Sequence, residues 1–174
     1  MIRYFFSLIF IISSAFAHPH TFIEVFPTIT VKDNKTQSIH FKWMLDEMTS
    51  SVLIIEFDQN GDGKINKQEN KYAYENFFST LVDYNFYTDI KIKDKTQVFP
   101  KPINFQTTIE NNRVCYSFDI KKQYNIKDLK FDFGDSDFFV AMVLKDEFPK
   151  ITGAKAKVSE LDNDFYFGYR LEIK

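Results

Sequence analysis

Oxygen-bearing side chains recur between Asp58 and Glu69 at the spacing found in calcium-binding loops. The segment reads DQNGDGKINKQE and matches the pattern D-x-[DN]-x-[DN]-G-x₅-E without a gap. Calcium takes about six to eight oxygen ligands, and a loop of this kind supplies most of them from one stretch of chain. Gly63 stands where such a loop turns sharply. The predicted calcium ligands are Asp58, Asn60, Asp62, Lys64 through its backbone carbonyl, Asn66 and Glu69.

Helical patterns on both sides of this loop favour a calcium site over a polar turn that matches by coincidence. The sequence contains one such loop, whereas calcium sensors usually carry their loops in pairs. A single site in an exported protein is expected to bind at the weak end of the range, about 10⁻⁴–10⁻³ M. We therefore expect a structural calcium ion that orients the two flanking helices.

Residues Met1 to Ala17 have the features of a secretory signal peptide. Arg3 precedes the apolar run Tyr4–Ile12, and Ala15-Phe16-Ala17 has the small residues of a cleavage site. The apolar stretch is too short to cross a bilayer, which takes about 20 residues. We therefore predict export to the periplasm, cleavage after Ala17 and a soluble single domain at residues 18–174.

Cleavage after Ala17 would place two histidines next to a free amino group. His18 becomes the first residue of the mature chain and His20 the third. A free amine and neutral imidazoles bind copper, nickel, cobalt and zinc. Pro19 has no amide hydrogen, which excludes the common chelate through the second and third backbone amides. Two interpretations remain open: a metal chelate of the amine, the His18 ring and His20, or a polar start to the first strand.

The balance of residue types excludes several other functions. Lys and Arg number 22 against 24 Asp and Glu, so the net charge of -2 provides no basic surface for nucleic acid. One Cys and three His exclude an internal disulfide framework and a cysteine-rich zinc site. Cys115 lies in an apparent strand and is expected to be a buried small hydrophobe. No P-loop, Gly-x-Ser-x-Gly or His-Glu-x-x-His motif is present, so we predict no enzymatic activity.

The segments Thr21–Val31 and Gln37–Met44 alternate apolar and polar residues and predict an antiparallel hairpin. Asp33-Asn34-Lys35 supplies its turn. With the turn centred near Asn34, His40 lies opposite about Thr28.

This register separates His40 from the amino-terminal histidines. His40 is then roughly 26 Å along the ladder from His20, at about 3.3 Å per residue. It cannot easily join the pair at the amino terminus. Asp46 and Glu47, which follow the second strand, are better placed to supply a carboxylate.

Helices are predicted on either side of the calcium-type loop, from Asp46 to about Phe57 and from Asn66 to about Asp83. The rest of the chain is mainly strands, and the abundant Phe and Tyr are expected to fill the core. This order indicates an α+β fold: an antiparallel β-sandwich-like domain with an EF-hand-type helix-loop-helix insertion at residues 46–83. The predicted strands after the helices are Asn85–Lys93, Ile103–Glu110, Arg113–Ile120, Leu129–Phe133, Phe138–Leu144, Lys155–Leu161 and Phe165–Ile173.

Several motifs together resemble a known bacterial family. They are the signal peptide, His18-Pro19-His20-Thr21-Phe22-Ile23, Trp43-Met44-Leu45-Asp46-Glu47, the calcium-type loop and the stretch from Phe133 to Val140. The family is the periplasmic family of unknown function one thousand and seven, described as an uncharacterised periplasmic component of an ABC-type transport system. Its members are often encoded near nickel/cobalt transporters of the NicO type, which implies handling of divalent transition metals. The resemblance carries His18, His20, Asp46 and Asp135 over as motif residues, with Asp-Ser at 135–136 where the family usually has Asp-Pro.

These observations predict a periplasmic accessory protein that binds a transition metal and exchanges it with an inner-membrane transporter. The amine, His18 and His20 are the expected ligands, with Asp46, Glu47 or Asp135 closing the site and calcium holding the scaffold. The alternative is a non-catalytic, calcium-stabilised interaction module that docks onto a membrane protein. A third interpretation is an oxidative copper enzyme with an amino-terminal histidine site.

Overall fold

Strands β1 (Thr21–Lys32) and β2 (Lys35–Leu45) form a long antiparallel hairpin inside the larger of two sheets. Asp33 and Asn34 make its turn, with positive φ angles of 51° and 56° that suit a two-residue hairpin. Thr28 pairs with His40, which confirms the predicted register. Because side chains alternate across a strand, every second residue of β1 from Ile23 to Val31 is buried.

The structure is a computed structural model that describes residues 20–163 and 166–174. The predicted signal peptide and His18 lie outside the described residues. Within those residues, no helix is both long enough and apolar enough to span a membrane.

Over the described residues the fold is mixed, with mostly antiparallel sheets and three short helices. The helices are α1 (Glu47–Phe57), α2 (Lys67–Asn76) and a 3₁₀ helix at Phe78–Tyr87. The remaining strands are β3 (Thr88–Ile92), β4 (Lys95–Gln97), β5 (Ile103–Glu110), β6 (Arg113–Asp119), β7 (Leu129–Gly134), β8 (Val140–Val143), β9 (Lys150–Thr152), β10 (Ala156–Asn163) and β11 (Tyr166–Ile173).

The strands form two sheets that we call sheet A and sheet B. Sheet A has the order β5-β6-β2-β1-β8, with β9 also paired to β1, and sheet B has the order β10-β11-β7-β3-β4. The sequence predicted antiparallel pairing throughout, but β8 and β9 both run parallel to β1. Strands β4 and β9 were not predicted, because three residues are too few to show an alternating pattern.

The segment between the calcium-type loop and sheet B departs most from the prediction. One helix was expected from Asn66 to Asp83, but α2 ends at Asn76. Phe77 interrupts it with a φ of -127°. The break lets Phe77 and Phe78 point to different partners: Phe77 contacts Phe57 with ring centroids 4.8 Å apart, and Phe78 contacts Trp43 at 5.9 Å.

The predicted strand Asn85–Lys93 begins three residues late, at Thr88. Asn85, Phe86 and Tyr87 all have positive φ angles, of 53°, 50° and 46°. Such angles are incompatible with an extended strand. The chain therefore turns here before it enters sheet B.

Aromatic side chains fill the core, as the sequence predicted. Phe41 of sheet A contacts Phe131 and Phe133 of sheet B, with ring centroids 5.9 and 5.7 Å apart and nearly perpendicular rings. Trp43 and Phe118 pack in the same way at 5.1 Å. Edge-to-face pairs of this kind add to the burial of large apolar surfaces. The buried faces of the two sheets therefore meet through aromatic rings.

Sheet B also holds a buried carboxylate. Asp132 on β7 is 1% exposed, and its oxygens accept hydrogen bonds from Arg170 at 2.6 and 2.7 Å. The Lys91 ammonium lies 2.8 Å from the same carboxylate. Burial by itself raises the pKa of Asp132, but the hydrogen bonds from Arg170 and Lys91 hold it below its ordinary value.

We expect Asp132→Asn to destabilise the fold by about 3 kcal/mol, because the change leaves Arg170 and Lys91 without their buried partner. Urea unfolding of both forms measures this difference. The matched control is Asp94→Asn, since Asp94 pairs with Lys130 at the exposed surface and its loss should change the midpoint little. Equal effects of the two substitutions would contradict this reading.

Stability in acid tests the same cluster. Since the folded pKa of Asp132 lies below the unfolded one, its contribution is complete above the unfolded pKa of about 3.9 and is lost as pH falls through the folded value. The natural protein should therefore lose stability below about pH 4 more steeply than Asp132→Asn. Parallel acid titrations, followed by circular dichroism, measure the two slopes.

Candidate functional site

The loop between α1 and α2 is organised by its own carboxylates. Asp58 accepts hydrogen bonds from the backbone N–H groups of Asp62 at 3.1 Å and Gly63 at 2.8 Å. Asn60 accepts a second bond from the Asp62 N–H at 2.9 Å, and Asp62 accepts one from Lys64 at 2.9 Å. Gly61 and Gly63 have φ angles of 72° and 77°, which glycine adopts without strain. The loop therefore curls around the side chains of its first half.

Glu69 closes the loop from the other end. Its side chain is buried, at 3% exposure for the residue, and reaches the backbone N–H of Asn66 at 2.9 Å and that of Asn60 at 3.4 Å. Asn66 in turn caps α2 by accepting from the N–H groups of Gln68 and Glu69, which completes a capping box. The first and last carboxylates of the loop are thus both directed toward the loop backbone.

Both helices are fixed to sheet A by polar contacts. On α1, the buried Ser50 hydroxyl accepts a hydrogen bond from the Val114 N–H at 2.9 Å. On α2, the Asn70 side chain accepts from the Thr107 N–H at 2.6 Å and donates to the Phe105 carbonyl at 3.3 Å. Because α2 is attached to β5 and α1 to β6, sheet A sets the distance between the two ends of the loop.

Asp46 is the N-cap of α1. Its carboxylate accepts the N–H of Thr49 at 2.8 Å, the hydroxyl of Thr49 at 2.8 Å and the N–H of Phe22 at 2.8 Å. Partial burial raises the pKa of Asp46, but these hydrogen bonds hold it below its ordinary value. The position of Asp46 directly before a helical pattern was the sequence signal for this capping role. Glu47 follows it and is exposed.

Asp135 organises the turn between β7 and β8. The residue is 4% exposed, and its carboxylate accepts the N–H groups of Asp137, Phe139 and Val140 at 3.0, 3.1 and 3.0 Å. The carbonyl of Phe139 then accepts the N–H of His20 at 2.9 Å. The His20 ring is stacked against the Phe139 ring, with centroids 6.2 Å apart.

The start of β1 is therefore where the predicted motif residues meet. Asp46 holds Phe22, and the turn built by Asp135 holds His20. Both carboxylates already accept backbone hydrogen bonds. No group of three or more His, Cys, Asp and Glu side chains in residues 20–163 and 166–174 is arranged to hold a metal ion. This holds for the carboxylates of the loop from Asp58 to Glu69 as well, so the calcium site stays a prediction. The amino-terminal metal site also stays a prediction, because His18 lies outside the described residues.

An acidic cavity that the sequence did not predict includes the Asp135 turn in its wall. It has a volume of about 360 Å³, and Asp83, Asp89, Asp135 and Asp137 contribute to its wall. The adjoining Tyr87 has a pKa raised to about 12, by burial first and then by the charges of Asp135, Tyr84 and Asp137. Asp83 and Asp89 flank the unpredicted turn at residues 85–87, so no pattern in the sequence placed them beside Asp135.

Two other candidates have structural roles. His40 lies on sheet A opposite Thr28, with its Nδ1 atom 2.7 Å from the Asp119 carboxylate. Cys115 is 1% exposed, which confirms it as a buried residue. Burial is the largest cause that raises the pKa of its thiol, so Cys115 has little thiolate character.

Comparison with known proteins identifies the family. Residues 4–161 match the family described as protein of unknown function (DUF1007), and the chain belongs to that family. It is 28% identical to an uncharacterised protein of Haemophilus influenzae over 144 residues, which cover 77% of this chain and 66% of that protein. It is also 27% identical to an uncharacterised 15.5 kDa protein in the trpE 3′ region of Spirochaeta aurantia, over 62% of this chain and 81% of that protein.

We expect Asp46→Ala to destabilise the protein by about 1–2 kcal/mol, because the change removes the N-cap of α1 and the acceptor for Phe22. Asp46→Asn is the matched control, since Asn caps helices about as well as Asp but carries no charge. Thermal unfolding of the three forms without added metal measures the capping role. Equal losses in Asp46→Ala and Asp46→Asn would show that the charge matters more than the cap.

Proposed function

We propose that this DUF1007 protein is a divalent-cation-binding module in which calcium occupies the loop from Asp58 to Glu69. The observation that carries the proposal is the inward direction of both terminal carboxylates of the loop. Asp58 accepts the N–H groups of Asp62 and Gly63, and Glu69 accepts those of Asn60 and Asn66. Calcium coordination by such a loop takes ligands from its first and twelfth positions, so a bound ion would draw Asp58 and Glu69 toward one centre.

The chemistry of the donor set fits calcium. Asp58, Asp62 and Glu69 are carboxylates within one short loop, and no Lys or Arg side chain forms an ion pair with any of them among the described residues. Like charges that lie close together repel one another. A hard divalent cation would neutralise them and take oxygen ligands from all three. Asn60 and Asn66 would add neutral oxygens, and Lys64 its carbonyl.

Calcium would act on the position of the helices. Phe57 ends α1 directly before the loop, and its ring lies 4.8 Å from that of Phe77, which follows α2. Asn70 attaches α2 to β5, and Ser50 attaches α1 to β6. An ion bound between the helices would therefore stabilise a pair that the sheet has already placed. This supports a structural ion rather than a calcium sensor whose helix pair switches between an open and a closed arrangement.

A transition metal at the mature amino terminus is the second candidate function. The positions of Asp46 and Asp135 favour it, because Asp46 accepts the Phe22 N–H and Asp135 organises the turn whose Phe139 carbonyl accepts the His20 N–H. After export and cleavage the amine, His18 and His20 would bind copper, nickel, cobalt or zinc. Exchange of that metal with an inner-membrane transporter in the periplasm would follow. Docking of a calcium-stabilised module onto a membrane protein, without a transition metal, is the competing account.

Glu69→Gln should abolish the rise in melting temperature that calcium causes, because the change removes the carboxylate that supplies two of the ligand oxygens. In the natural protein, calcium at ten times its dissociation constant should stabilise the fold by about 1.4 kcal/mol. Differential scanning calorimetry with calcium and with a chelator measures the shift.

The matched control is Glu75→Gln on the exposed side of α2, where Glu75 pairs with Lys71 at 3.8 Å. It removes the same charge from the same helix but should leave the calcium-dependent shift intact. A shift that survives in Glu69→Gln, or that is lost equally in Glu75→Gln, would overturn the calcium assignment.

The amino-terminal site requires a free amine. Since the α-amino group has a pKa of about 7.7–8.0 and must lose its proton to bind, metal affinity should rise as pH increases toward 8. Calorimetric titration of copper, nickel, cobalt and zinc into the signal-cleaved protein measures this dependence. A form with one extra residue before His18 serves as the control and should bind more weakly. Equal affinities of the two forms would exclude the amine as a ligand.

A further inference from the structure

A second cavity lies beneath the start of β1, on the core side of sheet A. It has a volume of about 250 Å³ and opens between the end of β2, the end of α2, the 3₁₀ helix and β8. Ile23, Leu45, Phe77, Leu81 and Val140 give it apolar walls. Neither the calcium-type loop nor the acidic cavity includes these residues. Ligand pockets are usually about 300–1,000 Å³, so this one suits a molecule smaller than a typical drug.

Most polar side chains around this cavity already have partners. The Thr21 and Thr49 hydroxyl groups share a hydrogen bond, the Thr80 hydroxyl donates to the Phe77 carbonyl, and the Asn76 amide donates to the Tyr72 carbonyl. These side chains therefore do not need a hydrogen bond from a ligand. The hydroxyl groups that remain belong to two tyrosines in the wall, Tyr116 and Tyr87.

Tyr116 is the deeper of these two tyrosines. The residue is 4% exposed, and burial alone raises the pKa of its phenol, without a contribution from any hydrogen bond. Its ring is fixed by Phe78 and Phe105, with centroids 5.6 and 5.4 Å away. The Tyr116 hydroxyl is not one of the fully buried polar atoms that lack a partner among the described residues, so water can reach it, and a ligand oxygen would replace that water as its partner. Tyr116 therefore presents a fixed hydrogen-bond donor in an apolar cavity.

The charges near the cavity select against anions. Tyr87 lines this cavity, and the charges of Asp135 and Asp137 in the wall of the acidic cavity help to raise its pKa. A carboxylate or phosphate in the cavity would be repelled by the same two side chains. Both phenols are neutral at physiological pH, so neither would compensate an anionic ligand.

We infer that this cavity binds a small, neutral, mainly apolar molecule whose single oxygen accepts a hydrogen bond from the Tyr116 hydroxyl. The walls would bury the apolar body of the ligand, and Tyr116 would orient its oxygen. Monocyclic phenols represent this class. The site is independent of the proposed cation sites, because it uses none of their candidate ligands.

Three probes of similar size test the inference. They are 4-ethylphenol, ethylbenzene and the 4-ethylbenzoate anion, each titrated into the mature protein and followed by protein NMR shifts. We expect 4-ethylphenol to bind about two- to tenfold more tightly than ethylbenzene, which is the range that one net hydrogen bond provides. We expect 4-ethylbenzoate to bind more weakly than 4-ethylphenol. Equal affinities of the two neutral probes, or no binding of 4-ethylphenol, would overturn the inference.

Substitutions locate the binding. Leu81→Trp fills the cavity and should abolish binding of 4-ethylphenol, whereas Val82→Trp is the matched control, because Val82 is 61% exposed and outside the wall. Tyr116→Phe keeps the ring and should remove the preference for 4-ethylphenol over ethylbenzene. If Leu81→Trp fails to fold, Tyr116→Phe decides alone. Binding that survives in a folded Leu81→Trp, or an unchanged preference in Tyr116→Phe, would refute the site.

Discussion

The rest of the structure depends on the hydrogen bond from the Phe22 N–H to the Asp46 carboxylate, which is 2.8 Å long. It joins the start of β1 to the residue that caps α1. The Phe22 carbonyl completes the contact by accepting the N–H of Asp46 at 2.9 Å. This exchange fixes where α1 leaves the sheet, and α1 ends at the calcium-type loop. The position of the loop therefore depends on the contact between α1 and the first strand.

Carboxylates serve three different purposes in this fold, and their partners distinguish them. Asp132 is neutralised by the cations of Arg170 and Lys91 inside sheet B. Asp46 and Asp135 are satisfied by backbone N–H groups and shape the chain around the start of β1. The carboxylates of the loop also accept N–H groups, but they follow one another closely in the chain and are the ones for which a cation is proposed. The hydrogen-bond and ion-pair partners of a carboxylate thus distinguish a structural role from a candidate ligand role better than its place in the sequence does.

The sequence predicted those features that depend on local pattern. The hairpin register, the turn at Asp33-Asn34, the helix starts at Asp46 and Asn66, and the burial of Cys115 all follow from alternation, capping residues or turn residues. The left-handed turn at residues 85–87 and the parallel pairing of β8 with β1 depend on packing between distant segments.

The same difference explains the candidate site. The loop from Asp58 to Glu69 could be predicted from the sequence because its residues are consecutive. The acidic cavity and the Tyr116 cavity were not, because their walls come from segments far apart in the chain. Asp46 and Asp135 were singled out as ligands, yet their contacts are those of a helix cap and a turn. Sequence alone could not distinguish a carboxylate that binds a metal from one that accepts backbone hydrogen bonds.

The central claim is that the loop between α1 and α2 is a calcium site, and equilibrium dialysis of the protein against radioactive calcium tests it most directly. The account predicts one calcium ion bound per chain, with a dissociation constant of about 10⁻⁴–10⁻³ M, and no binding at this site by Glu69→Gln. Absence of bound calcium at a concentration of about 10⁻² M, well above that range, would contradict it.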